Sequence, residues 1–161
     1  MATQPWVDQE SLDFSKLLVD QKGLEEVLPH RGAMLLIDGV VRFDVRGGGG
    51  LIVGYKDTRA DEFWAPGHFP GNPILPGVVM IEASAQLSLY AWKMTVESVR
   101  NRLVVFAGID KVRFRGQVRP GDRVVMMARS DEYGKRGAKM EIQGMVDGKV
   151  IFGGEIFAIA T

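Results

Sequence analysis

The 161-residue sequence has no cysteine, which excludes disulfide frameworks, thiolate nucleophiles and cysteine metal sites together. Histidine is nearly as scarce. There are two, His30 and His68, far apart in the chain, so no metal ligand set is expected. Neither sign of charge dominates, because twenty basic residues balance twenty acidic ones. Nucleic acid binding usually leaves a basic surplus or stripe and is therefore disfavoured; a small metabolite or a protein partner is expected instead. No window approaches a membrane-spanning apolar segment. The opening MATQPWVDQESLDF has early acidic residues and lacks the apolar run of a secretory signal. The expected location is cytoplasmic, with no membrane association. The four glycines Gly47 to Gly50 match neither a dinucleotide fingerprint nor a P-loop, no G-x-S-x-G elbow occurs, and no cofactor is expected.

What is present suits one domain with a substantial core, since 46% of the residues are apolar. Residues 1–27 read as an N-terminal tail and short helix. Met1 to Gln9 is expected to be loose, and SLDFSKLLVDQ puts Leu12, Phe14, Leu17 and Leu18 behind a Ser11 cap. Residues 28–161 read as a single domain. LLIDGVVRFDV and LIVGYKD are two extended runs around RGGGG, which predicts a hairpin. Pro70, Pro73 and Pro76 with Gly71 exclude regular helix or a central strand and predict an ordered loop. From Gly77 to about Lys93 the chain has no proline and is apolar nearly all round, which predicts one long, enclosed helix. Beyond it, strand-length segments alternate with PGD, YGKRG and VDGK turn signals. The expected class is α+β, with a curved antiparallel sheet wrapped around one long central helix.

Between Phe63 and Trp92 the only charged residue is Glu82. A carboxylate in such surroundings loses hydration, which raises its pKa and keeps it protonated unless a cation or hydrogen bonds offset the burial. It is a candidate proton donor. His68, just before the Pro/Gly loop, is the complementary candidate base. For the two to face one site, either the loop folds back or a second subunit supplies one partner. Gly77 at the helix start leaves a backbone N–H at the positive dipole end, where a polarised carbonyl can be held. Gln86, four residues after Glu82, shares its helical face and is placed to orient the carboxyl group. Together these groups suit proton abstraction beside a carbonyl with loss of a hydroxyl group. That is dehydration of a β-hydroxyacyl compound.

At LPHRGAMLLIDGV, GHFPGNPILPGVVMIEASAQ and FAGIDKVRFRGQVRPGD the chain resembles the (3R)-hydroxyacyl-acyl carrier protein dehydratases of fatty acid synthesis, from about Leu28 onward. The resemblance implies a hot dog fold. It further implies His68 as base or sole proton shuttle, Glu82 as its acidic partner, and Gly77 N–H polarising the thioester carbonyl. Acyl carrier protein bearing a 3-hydroxyacyl chain would be the partner. It also implies a homodimer whose sites take histidine and glutamate from different subunits, with dimers associating further into hexamers. Gly32, Ala33 and Met34 replace the aromatic and proline usual after proline-histidine-arginine, at a loop that gates the acyl tunnel in the family.

His30 is expected to order a turn or to pack near the site mouth rather than to act in catalysis. Lys111, Arg113 and Arg115 alternate with Val112 and Phe114, which puts three cations on one strand face. That face is either simply solvated or a docking patch for the acidic carrier protein. Two other functions compete with dehydration. One is a hot dog thioesterase, in which a helix carboxylate activates water. The other is a non-catalytic acyl-binding subunit.

Overall fold

The computed structural model describes residues 3–161. Two strands, β1 (Gly39–Arg46) and β2 (Gly49–Asp57), precede the helix α2 (Gly77–Thr95). Four follow it: β3 (Val104–Phe114), β4 (Arg123–Ser130), β5 (Gly137–Val146) and β6 (Lys149–Ala160). They form one six-stranded sheet in the order β1-β2-β4-β5-β6-β3, with antiparallel neighbours throughout. The predicted hairpin is present. Its turn is Gly47–Gly48, with Gly47 at φ 60, and the other two glycines of the run belong to β2. The β5–β6 connection is Asp147–Gly148, both at positive φ, as a tight two-residue hairpin turn requires.

The helix runs from Gly77 to Thr95, with Pro76 as its N-cap. Twelve of its residues are buried, from Met80 to Lys93. The sheet comes so close that a Cβ on Gly54 of β2 would meet Leu87 Cδ1 at 2.8 Å. The polar groups that this burial encloses are satisfied locally. Ser84 and Ser88 hydroxyls donate to the carbonyls four residues back, and Lys93 Nζ donates to the carbonyls of Arg100 and Arg102.

The N-terminal segment departs from expectation. Ser11 ends a short 3₁₀ turn, Gln9–Ser11, and no helix continues through Leu12 to Leu18. The helix α1 comes later, at Gln21–Glu25, capped by Asp20. Nor is the part from Thr3 to Gln9 loose; Met1 and Ala2 lie outside the described residues. Trp6 N–H donates to Gln143 Oε1, the Arg129 guanidinium lies 4.0 Å from the Trp6 ring centroid, and Val7 is buried with Val53, Val125, Met127 and Met145.

The reason lies in the strands. In the run Val124 to Ala128, Val124, Met126 and Ala128 face the helix, while Val125 and Met127 face outward. A sheet apolar on both faces needs a cover on each. The α2 helix covers one and the N-terminal segment the other. Leu24 of α1 is fully buried in the main core. Among the described residues no helix is long and apolar enough to cross a membrane.

Candidate active site

His68 is held from several sides. Its backbone N–H donates to the Trp64 carbonyl, and its own carbonyl accepts from Ile74 N–H at 2.6 Å. Its ring Nδ1 lies 2.7 Å from the Ile74 carbonyl. A carbonyl only accepts, so Nδ1 carries the proton and Nε2 is left with a free lone pair, as a base requires. Phe69 and Asn72 exchange two backbone hydrogen bonds across the turn that contains Gly71 at φ 72, and Arg119 Nη1 donates to Asn72 Oδ1. Leu75 N–H then binds the Val118 carbonyl. The prolines limit the loop's freedom, and these bonds give it one shape.

The loop delivers the chain to Gly77. As first residue of the helix, its N–H has no intrahelical acceptor. A Cβ here would lie 2.6 Å from Cζ of Phe114, so the absence of a side chain lets that ring close over the helix start.

Glu82 lies in the second turn, half-buried. Its Oε1 accepts from Gln86 Nε2 at 3.0 Å and lies 3.4 Å from His30 Nε2. The first is a well-formed hydrogen bond; the second is longer and mainly electrostatic. Gln86 also accepts from Leu36 N–H and donates to the Met34 carbonyl, pinning the Gly32–Met34 turn against the helix. Arg31 donates to the carbonyls of Glu25, Leu28 and His30, which fixes the segment that aims His30 at the carboxylate. Burial pushes the Glu82 carboxyl up, but the His30 and Gln86 contacts outweigh it and hold it below its ordinary value of 4.5. Glu82 is therefore an anion at neutral pH. The offset that the isolated carboxylate needed is present, and the neutral donor form is not favoured.

Within one chain His68 and Glu82 share no hydrogen bond or ion pair among the described residues, and His68 does not line the cavity into which Glu82 opens. That cavity, about 60 Å³, runs between α2 and the start of the edge strand β3, with His30, Glu82 and Gln86 as its polar members. His30 is the contact that the sequence did not disclose. The available signal was the need of a buried carboxylate for a nearby donor, met here by a residue 52 positions away in the chain.

Lys111, Arg113 and Arg115 line one larger cavity of about 510 Å³ on the sheet's outer face, with Trp6 and Gln143 in its wall. Strict alternation is broken there by a register shift between Asp110 and Arg113, with Lys111 at φ 53. Lys111 is also paired with Glu155 at 3.0 Å. Arg113 and Arg115 make no ion pair among the described residues. No group of three or more His, Asp or Glu side chains among the described residues is arranged to hold a metal ion.

A curved antiparallel sheet around one buried helix, entered through a proline-rich loop, defines a hot dog fold. A FabA-like domain matches residues 28–155, and the chain belongs to that family. It is 36% identical to the 3-hydroxyacyl-[acyl-carrier-protein] dehydratase FabZ of Desulfotalea psychrophila, over 87% of this chain and 92% of the relative. It is 38% identical to the FabZ of Streptococcus pneumoniae, over 89% of this chain and 100% of the relative. Among solved structures, the dehydratase heterocomplex ApeI:P from Xenorhabdus doucetiae has the same fold, with a TM-score of 0.69 at 19% identity, covering 86% of this chain and 90% of that one.

Proposed function

We propose that this protein dehydrates 3-hydroxyacyl thioesters carried on acyl carrier protein to trans-2-enoyl thioesters, as a cytoplasmic lyase of fatty acid biosynthesis. The observation that carries the reading is the base-ready His68 leading through a locked loop to the free amide of Gly77, in a chain more than a third identical to FabZ relatives over most of its length. Gly77 N–H holds the thioester oxygen and acidifies the C2 proton. His68 Nε2 takes that proton, then returns it to the C3 hydroxyl as the C3–O bond breaks; water leaves and the C2–C3 double bond forms. Glu82, ionised, accepts a hydrogen bond from the hydroxyl and aims it at the imidazolium. One histidine thus moves the proton in both steps.

The site is completed by a second copy of the chain. On its outer side β3 pairs with no strand among the described residues, and it exposes Val105 and Phe106, which line the Glu82 cavity, and Ile109 further along the strand. Its first half, Val104 to Ile109, carries no charge and so leaves that part of the edge open to pairing, the charged residues beginning only at Asp110. A two-fold axis at β3 joins two sheets and carries the partner's His68 loop across the cavity. Trimers of such dimers are compatible with this arrangement.

Purified protein incubated with a 3-hydroxyacyl thioester is expected to produce enoyl absorbance without free thiol. Free thiol without enoyl product would instead identify a thioesterase, and no turnover at any pH a binding subunit. The acidic carrier is proposed to dock on Arg113 and Arg115. Arg113→Glu is expected to lower kcat/KM for the carrier-linked substrate about tenfold at low salt, less at high salt, while sparing a small thioester analogue. Equal loss on both substrates counts against docking.

A further inference from the structure

We propose that Trp92 sets the acyl-chain length of the substrate, closing the groove that starts at Glu82 so that chains of about ten to twelve carbons fill it. The inference rests on the dehydratase reading and adds the substrate class to it. Glu82, Ala85, Gln86, Leu89 and Trp92 line the cavity from the helix side. Their spacing makes a single stripe down one helix face. The polar members, with His30, gather at the Glu82 end; the remainder of the lining, including Val104, Met140 and Ile156, is apolar. A polar head followed by an apolar trough fits a thioester trailing a hydrocarbon chain.

The stripe ends at Trp92. No helix residue beyond it lines the cavity. Trp92 is fully buried, and its indole N–H donates to the Gly134 carbonyl at 2.8 Å, which tethers the ring to the β4–β5 turn. Swinging the ring away would leave that N–H buried without an acceptor. The other walls can yield. The cavity of about 60 Å³ has room for only a few water-sized groups, so longer chains must displace side chains, and Met140 and Leu89 can shift rotamer. The tethered indole cannot.

Geometry supplies the limit. Ten residues separate Glu82 from Trp92, which is about 15 Å along the helix axis at ~1.5 Å per residue. A van der Waals contact of about 3.5 Å against the ring leaves roughly 11 Å. An extended chain advances about 1.25 Å per carbon, from a C–C bond of ~1.5 Å at the tetrahedral angle, so about nine carbons fit beyond C3.

The test is kcat/KM for 3-hydroxyacyl thioesters from four to about sixteen carbons on one carrier, with wild type, Trp92→Phe and Trp92→Leu. Wild-type turnover is expected to fall at least tenfold between about twelve and sixteen carbons. In the variants the fall should move outward by about two to four carbons, raising the ratio of long-chain to eight-carbon kcat/KM about tenfold or more. A folded, active variant with the wild-type profile overturns the proposal, as does a wild type that accepts the longest chain as well as the eight-carbon one. Should neither variant fold, the wild-type profile alone decides. If wild type dehydrates no 3-hydroxyacyl thioester of any length, the dehydratase reading itself fails. A failure confined to chain length leaves that reading standing.

Discussion

Co-expressing His68→Ala subunits with Glu82→Gln subunits is expected to restore about one quarter of wild-type turnover, although each variant alone loses about 10²- to 10⁴-fold. The fraction follows from symmetry. In the proposed two-fold dimer each site would take His68 from one chain and Glu82 from the other, so a mixed dimer would have one intact site and one doubly defective site. Random pairing makes about half the dimers mixed, and half the sites in those are intact. If instead both residues of a site came from one chain, every site would carry a defect and mixing would restore nothing. The absence of any His68–Glu82 contact within a single chain favours the shared arrangement.

The two substitutions test different steps. His68→Ala removes the lone pair proposed to take the C2 proton, together with the ring that stacks on Phe69 at 4.2 Å. Glu82→Gln keeps the shape of the side chain and removes its negative charge, so its loss measures the charge. Circular dichroism and size-exclusion profiles like those of wild type establish that the chains still fold and assemble. Should Glu82→Gln keep wild-type turnover, the carboxylate has no part in orienting the hydroxyl, and the polar end of the groove needs another explanation.

The parts of the molecule written in local chemistry were legible in the sequence. Asp147–Gly148 demanded a tight turn, the three prolines excluded helix before Gly77, and the stretch up to Trp92, charged only at Glu82, announced an enclosed helix; each element is found where it was expected. The N-terminal segment was misread because its conformation is set by a partner far along the chain. Phe14, Leu17 and Leu18 have helical spacing, yet Phe14 packs edge-on against Tyr55 at 5.4 Å and beneath the Arg123 guanidinium. Here tertiary packing overrides a weak local preference.

The site divides in the same way. Glu82 and Gln86 share a helix face because the helical repeat puts them there, and their hydrogen bond was legible from spacing alone. His30 reaches the same carboxylate only through Arg31, whose guanidinium gathers three carbonyls. Nothing in the spacing of LPHRG encodes that convergence. The charge state of Glu82 is the consequence. Sequence-level burial argued for a neutral acid, whereas the added donors hold an anion, which suits the proposed role of His68 as the group that moves the proton.

Ile109→Arg is expected to convert the protein to monomers and to abolish turnover with them. Ile109 lies mid-strand on β3, opposite Ile156 of β6, is 54% exposed, and lines none of the cavities described above. In a single chain the substitution puts a charge where water already reaches, so folding stability should change by no more than about 0.5 kcal/mol. In a two-fold dimer the same position occurs on both sides of the interface, and burying two like charges costs several kcal/mol. A penalty of about 4 kcal/mol weakens dimerisation roughly a thousandfold. Light scattering should report the monomer mass, and turnover should fall in proportion to the dimer remaining, recovering as protein concentration rises. A monomeric Ile109→Arg protein with undiminished turnover would mean that one chain assembles the whole site, and the two-subunit mechanism would have to be abandoned even if β3 proved to be the dimer edge.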